Sequence, residues 1–401
     1  MENANQSIKN RADEVFIGNY LRYPTAMVSG AGCELIDADG NRYLDFLSGI
    51  AVCALGHCHP AVTLAISEQA ARLVHVSNLY YTEPQTELAE LLVNNSFADK
   101  VFMANSGAEA NESAIKLARI ASGPGRYEII TLNGSFHGRT LATVAATAQP
   151  KFHQGFEPLP EGFVYAEFGD QQAIEKCITP QTCAIMCEPL QGEGGVRPLP
   201  EEYLQFLRKI CDQHDLLLIF DEVQTGMGRT GSLFAYQQLG VVPDIMTVAK
   251  ALGNGLPIGA LLTSEKLAAA LVPGTHASTF GGNPVACAAA VATLKVMLAD
   301  GFLDHVQAKG EYFRSRLKEV QQKYPQIGSQ VRGMGLLNGL VLTEAGCEHG
   351  TAIVNALYDA RILINFAGNC ALRFAPPLIV DRAEIDRVVG ALDEVLSSLS
   401  V

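Results

Sequence analysis

The stretch LLLIFDEVQTGMGRTG (216–231) joins an unbroken apolar run to two carboxylates, Asp221 and Glu222, and then to a glycine-rich loop. A short apolar run without alternation reads as a strand covered on both faces, the habit of parallel sheets wrapped by helices. A carboxylate at the carboxyl end of such a strand stands where open α/β sheets bind ligands. Buried there without a cationic partner it is costly, so a protonated ligand nitrogen is an attractive explanation. Taken alone, the same two residues also read as a surface turn after a strand.

Similar runs flank this one. Strands are predicted at 101–104, 128–132, 184–188, 216–220, 245–249 and 259–263, with helical patterns such as 201–214 between them. Alternation of this kind predicts an α/β domain with a mainly parallel sheet. From about residue 285 the pattern changes to longer helices (302–324) with strands at 338–343 and 371–375, the expectation for a second, smaller α+β domain. In the last helix Ile385, Val388, Val389, Leu392, Val395, Leu396 and Leu399 share one face, with Asp381 and Glu384 as a capping pair. The hairpin-like CELIDADGNRYLDF (33–46) turns at Asp39-Gly40 and is too short to own a core, so it must dock elsewhere. The expected division is an N-terminal segment, 1–60, docking on the small domain; a large ligand-binding domain, 61–284; and a C-terminal small domain, 285–401.

The 401 residues carry 29 Lys+Arg against 42 Asp+Glu, a net charge of −13, and are 48% hydrophobic. That apolar content excludes disorder, and the acidic balance without any basic block argues against nucleic acid as a partner. No basic leader followed by an apolar segment is present, and no apolar run reaches about 18 residues, so a cytoplasmic protein without a membrane partner is expected. Ten cysteines are scattered without a CxxC pair, which predicts reduced thiols and no structural disulfide. Cys53, His57, Cys58 and His59 are metal-ligand types, but their spacing matches no zinc pattern, and no metal site is expected.

Three segments carry candidate chemistry. NSGAEANESAIKLAR (105–119) follows a strand and opens a helix, with Ser106 as N-cap and Glu109 as its capping-box partner. With Gly107 admitting close approach, its free N–H groups form an anion cradle suited to one phosphate, although a plain capped helix reads the same way. In TVAKALGNGLPIGAL (247–261), Lys250 ends a strand among small residues. A nucleophilic amine there needs its pKa lowered by desolvation or nearby cations; an isolated strand-end lysine is usually solvated. Gly226, Gly228 and Gly231 satisfy G-x-G-x-x-G after a strand, but a dinucleotide site also needs a helix opening at the glycines and an acid ending the next strand, whereas Asp244 precedes its strand. Together, a phosphate cradle, a carboxylate for a ring nitrogen and a lysine for an aldehyde are the parts that pyridoxal 5'-phosphate (PLP) requires.

Seven blocks, NSGAEANE (105–112), FHGRT (136–140), EPLQGEGGV (188–196), DEVQTGMGRTG (221–231), AKALGNGLPIGA (249–260), STFGGNP (278–284) and LRFAPPL (372–378), run in one order and resemble the class III aminotransferases of the fold type I PLP family. The resemblance extends from about residue 20 to the C-terminus, and no block is broken at a chemical position. It implies that Lys250 carries the cofactor's aldehyde and then moves the substrate proton, and that Asp221 keeps the pyridine nitrogen protonated. Phe136 would stack on the ring. Ser106, Gly107 and Ala108 would bind the phosphate together with Thr279 of a neighbouring subunit. Glu222, Val223 and Gln224 would complete the cofactor's surroundings, Gln224 near its phenolic oxygen. Arg139 would clamp a substrate carboxylate and Ser278 would contact substrate across a homodimer with shared active sites. Glu193 and Arg373 resemble the pair by which related enzymes accept both an ω-amino donor and 2-oxoglutarate. The implied reaction moves the δ-amino group of N2-acetyl-L-ornithine to 2-oxoglutarate, in arginine biosynthesis. Succinylornithine, succinyldiaminopimelate semialdehyde, ornithine and γ-aminobutyrate are the alternatives on the same scaffold, because one distal group changes discrimination by only about 1–3 kcal/mol. Outside this family, a non-catalytic binding regulator and a nucleotide-dependent oxidoreductase are the competing classes.

Overall fold

A computed structural model of the chain describes residues 3–368 and 370–399. Its centre is a seven-stranded sheet of β1 (Lys100–Ala104), β2 (Glu128–Leu132), β3 (Phe163–Ala166), β4 (Thr182–Cys187), β5 (Leu217–Asp221), β6 (Ile245–Val248) and β7 (Gly259–Thr263). The spatial order is β1-β7-β6-β5-β4-β2-β3. All neighbours are parallel except β7, which runs antiparallel to both β6 and β1. The exception follows from chain length. Only residues 249–258 link β6 to β7, too few for the crossover of a dozen or more residues that a parallel return requires.

Helices α1 (Gly107–Ala121) and α2 (Glu201–His214) cover opposite faces. Ala114 and Ala118 let α1 lie close against the sheet, in a small core with Ile129, Ala184, Met186 and Ile245. On the other side Tyr203, Leu204, Leu207 and Cys211 of α2 enter the main core. Every residue of β4, β6 and β7 is buried, which explains their unbroken apolar reading.

The C-terminal part is built on α3 (Phe302–Lys323), α4 (Arg382–Ser397) and an antiparallel sheet of β8 (Gly328–Met334), β9 (Leu337–Leu342), β10 (Asn365–Ala367) and β11 (Ala371–Phe374), in the order β8-β9-β11-β10. The capping box of α4 forms as read, Asp381 accepting from the Glu384 amide and Glu384 from the Asp381 amide, both at 2.8 Å. The N-terminal hairpin joins here too: strand Arg42–Asp45 pairs in parallel with Ile362–Leu363, and Phe46 meets Phe313 edge-on at 5.6 Å. Phe313 in turn meets Phe374 at 5.3 Å.

Two cysteine features need comment. The expectation of no structural disulfide is corrected: Cys347, on the short helix Glu344–Glu348, is bonded to Cys370, in the turn between β10 and β11. The fold brings their Cα atoms to 5.3 Å across 23 residues of chain, a proximity no sequence spacing encodes. Elsewhere, His57 pairs with the buried Asp45 at 2.8 Å, and this hydrogen bond, reinforced by Cys53, raises the imidazole to about 10. The glycine loop after β5 opens no helix. Gly228 lies against Leu303 and Leu378, so the loop is a packing surface for the C-terminal part. Among the described residues no single helix is long and apolar enough to cross a membrane.

Phe313 is fully buried between the N-terminal hairpin and β11. Phe313→Ala should cost about 3–5 kcal/mol of unfolding free energy. Urea titration of variant and wild type measures it, and a loss under about 1 kcal/mol would show that this ring does not join the two parts.

Candidate active site

The strands β1, β4, β5 and β6 all end at one edge of the sheet, and the chain leaving each end lines a cavity of about 380 Å³. Asn105, Ser106, Gly107 and Ala108 come from the β1 end, Glu188 and Glu193 from β4, Asp221, Val223 and Gln224 from β5, and Lys250 from β6. Phe136, His137 and Arg139 complete one wall. Segments up to 145 residues apart thus converge because parallel strands share a C-terminal edge.

At the β1 end the capping differs in detail from the reading. Ser106 Oγ accepts from the Glu109 amide at 3.2 Å, but Glu109 reaches back to the amide of Asn105, at 2.7 Å, instead of Ser106. The first amides of α1, at Gly107 and Ala108, have no acceptor within the helix, so they remain available to an anion in the cavity. A Cβ at Gly107 would lie 2.7 Å from Val223 Cγ1, so glycine is required there for the β1 and β5 loops to meet.

Asp221 is buried, and its Oδ2 accepts from Asn111 Nδ2 at 2.7 Å and from His137 Nδ1 at 2.8 Å. A carboxylate only accepts, so the imidazole must carry its proton on Nδ1. Asn111 is oriented by Thr247, whose hydroxyl donates to Asn111 Oδ1 at 2.6 Å. Glu188 closes the cluster, accepting from the Phe136 amide at 2.9 Å. Burial, with Asp221 adding and His137 opposing, pushes its carboxyl up to about 7. His137, Asn111 and Glu188 were missed as site residues. All three lie inside quoted motifs, but only the fold shows that His137 and Asn111 converge on Asp221 with Glu188 beside them.

Lys250 opens a 3₁₀ turn with φ of +45°, a conformation costly for a residue with a side chain. The sharp turn presents its side chain to the cavity instead of continuing β6. Burial lowers its pKa; Arg373 adds to this, while Glu193 and Asp221 oppose it. A second strained segment was not legible. Ser48, Gly49, Ile50 and Ala51 have φ of +48°, +65°, +66° and +61°, a left-handed turn leading into Val52 on the cavity wall. Asp45 holds it by accepting from the Leu47 and Ser48 amides, and the Ser48 hydroxyl donates to Ala375 O at 2.6 Å.

Arg373 is 1% exposed and donates through Nη1 to Glu193 Oε1 at 2.5 Å and to Gln224 Oε1 at 3.3 Å. Burial alone would raise Glu193, but Arg373 outweighs it and holds the carboxyl below its usual range. Arg139 is exposed at the rim, over Phe152 at 4.1 Å and Phe136 at 5.4 Å.

Four expected residues lie outside the cavity lining, among them Arg373, which meets the cavity only through Glu193 and Gln224. Glu222 does not face the cavity: its carboxylate accepts from the Ala235 and Tyr236 amides at 2.6 and 2.8 Å, and burial pushes it up to about 7. The sequence neighbour of Asp221 projects to the other side, and it supports the glycine loop. Within one chain Ser278 stays outside the cavity lining, its Oγ accepting from Asn105 Nδ2 at 3.2 Å, and Thr279 is exposed outside the cavity.

Comparison with known proteins agrees with this geometry. The profile of the family Aminotransferase class-III matches residues 18–396. The chain belongs to the class III aminotransferases. A relative named acetylornithine aminotransferase, from Caldanaerobacter subterraneus subsp. tengcongensis, is 52% identical over 384 residues, 95% of this chain and 96% of its own. The solved ornithine aminotransferase of Toxoplasma gondii ME49 superposes with a TM-score of 0.94 at 32% identity, covering 99% of this chain and 96% of that one. The N-acetylornithine aminotransferase of Stenotrophomonas maltophilia K279a does so with 0.83 at 36%, covering 97% and 98%.

Class III aminotransferases are fold type I enzymes that use PLP, and the cavity fits it. A buried carboxylate braced by two donors, free helix amides beside a glycine and a strand-end lysine lie together on its wall. Because burial disfavours the ammonium form, the Lys250 amine should become reactive at lower pH than an ordinary lysine, whose value is 10.5. The rate at which cofactor-free protein forms its PLP adduct, followed by absorbance from pH 6 to 10, should therefore rise with a midpoint below 10.5. A rate still climbing at pH 10 without approaching a plateau would contradict the burial argument.

Proposed function

We propose that this class III aminotransferase moves the δ-amino group of N2-acetyl-L-ornithine to 2-oxoglutarate, giving N-acetyl-L-glutamate 5-semialdehyde and L-glutamate. The setting would be arginine biosynthesis in the cytoplasm. The observation that carries the reading is the Glu193–Arg373 ion pair beside Lys250. A donor whose reacting amine ends a side chain leaves Arg373 without a carboxylate, and Glu193 neutralises it. 2-Oxoglutarate brings an α-carboxylate that takes Arg373 in place of Glu193. The choice of an acetylated ornithine over the other ω-amino donors is supported by relatives of about 50% identity that carry the name acetylornithine aminotransferase.

PLP, when bound, supplies an electron sink for the pair left on the substrate carbon after deprotonation. In this reading Lys250 Nζ would hold the cofactor's aldehyde and would move the proton at the amine-bearing carbon of the substrate. Asp221, oriented by His137 and Asn111, holds a proton on the pyridine nitrogen. Ser106 and the amides of Gly107 and Ala108 bind the phosphate, as expected for a helix N-terminus. Phe136 would cover the ring, Val223 would border it, and Gln224, which accepts from Arg373, would lie near the ring's phenolic oxygen. Arg139 receives the distal carboxylate of the substrate with its planar fork.

Purified enzyme mixed with N-acetylornithine should lose the cofactor absorbance of the resting form and regain it with 2-oxoglutarate. No change with any ω-amino donor would reject the reading. Lys250→Ala should lower turnover by at least about 10⁴-fold while leaving thermal unfolding unchanged, because one group both tethers and transfers. Appreciable turnover in that variant would refute its role.

The proposed active unit is a homodimer in which Ser278 and Thr279 reach the partner's site. It is supported by the exposed apolar side chains of Leu79, Tyr80, Tyr81 and Phe280 around these residues. Sedimentation should give twice 42.9 kDa. Phe280→Asp should shift the protein toward monomer and lower cofactor retention together, and a fully active monomer would exclude shared sites.

A further inference from the structure

Glu193 and Gln224 account for one nitrogen of the Arg373 guanidinium, and the remaining nitrogens carry a further consequence. Nε donates to Asn365 Oδ1 at 3.0 Å. Nη2 is buried with no partner among the described residues. Asn365 and Arg373 are register partners on β10 and β11, so the contact is built into the hairpin. Neither Asn365 nor Arg373 lines the cavity; Arg373 reaches its wall through Glu193 and Gln224, and Asn365 holds a nitrogen that these two leave free.

We propose that Asn365 is a positioning residue that keeps the Arg373 guanidinium aimed at Glu193 and Gln224 on the cavity wall while its counter-ion changes, and that its neutrality is what makes the change workable. This rests on the dual-substrate reading above. A guanidinium donates in a fixed fork, so fixing Nε sets the directions of Nη1 and Nη2. Both immobile acceptors, Asn365 and Gln224, are uncharged amides. Compensation of the buried charge therefore falls to Glu193, which approaches from a loop of glycines at 192, 194 and 195 and keeps 29% side-chain exposure. When Glu193 withdraws, Asn365 holds the fork and Nη1 and the unpartnered Nη2 can receive the two oxygens of an incoming carboxylate. A carboxylate at 365 would instead neutralise Arg373 permanently and compete with the substrate.

Separate measurement of the two half-reactions in the PLP-loaded enzyme tests this. Asn365→Ala should raise the KM for 2-oxoglutarate about tenfold, the scale of one hydrogen bond to a charged group, and change the N-acetylornithine half-reaction by no more than about twofold. The isosteric Asn365→Asp should raise that KM at least as much. Glu193→Gln should slow the acetylornithine half-reaction, and adding Asn365→Asp to it should restore much of that rate because the fixed charge replaces the lost one. A role confined to folding would not give this recovery. Equal effects of Asn365→Ala on both half-reactions, or no recovery in the double variant, would overturn the inference. Failure of the wild type to react with N-acetylornithine would reject the substrate reading. The 2-oxoglutarate and glutamate arm would still show whether Asn365 governs Arg373.

Discussion

A carboxylate in a closed interior must be answered, and the answers to Asp221 organise this molecule. Its oxygens take up Asn111 from α1, His137 from the loop after β2 and the amide of Val223. Three parts of the chain are thereby drawn to the end of one strand. Removing one donor would leave buried charge unpaired, which costs far more than the hydrogen bond contributes. The same contacts leave Asp221 on the cavity wall, where, in the proposed reading, a protonated ring nitrogen would complete the set.

Around it, groups of both signs meet: Glu188, Lys250 and Glu193 line the same cavity, and Arg373 is paired to Glu193. Burial raises the carboxyl of Glu188 and lowers the amine of Lys250, while the ion pair with Arg373 holds Glu193 below its usual range. These opposing shifts separate an amine available for covalent chemistry from a carboxylate kept charged to answer an arginine. Strain is concentrated in the same place. Lys250 and the turn Ser48–Ala51 occupy left-handed backbone conformations that residues with side chains adopt at a cost of about 1–2 kcal/mol each. They persist because the surrounding hydrogen bonds leave no relaxed alternative.

The C-terminal part is more than a cover. It supplies Arg373 and Asn365 from one hairpin, and its helix α3 packs on the glycine loop that follows Asp221. The ring of Phe313 ties this part to the N-terminal hairpin. Both ends of the chain therefore meet on the side of the site where the substrate carboxylates would be sorted.

Much of this was legible in the residues alone. Unbroken apolar runs marked six of the seven strands of the large sheet, since burial on both faces removes alternation. Capping chemistry marked the starts of α1 and α4, because those contacts are local in sequence. The order of motif blocks singled out Lys250 and Asp221, which the fold brings to neighbouring strand ends on one cavity, and Arg373, which lies within β11. What the sequence could not determine depends on direction and distance in space. The reversed β7, the outward turn of Glu222, the Cys347–Cys370 bond and the hold of Asn365 on Arg373 each arise from how strands lie beside one another. One residue of register or a few residues of connection decides them, and only the packed tertiary structure sets both.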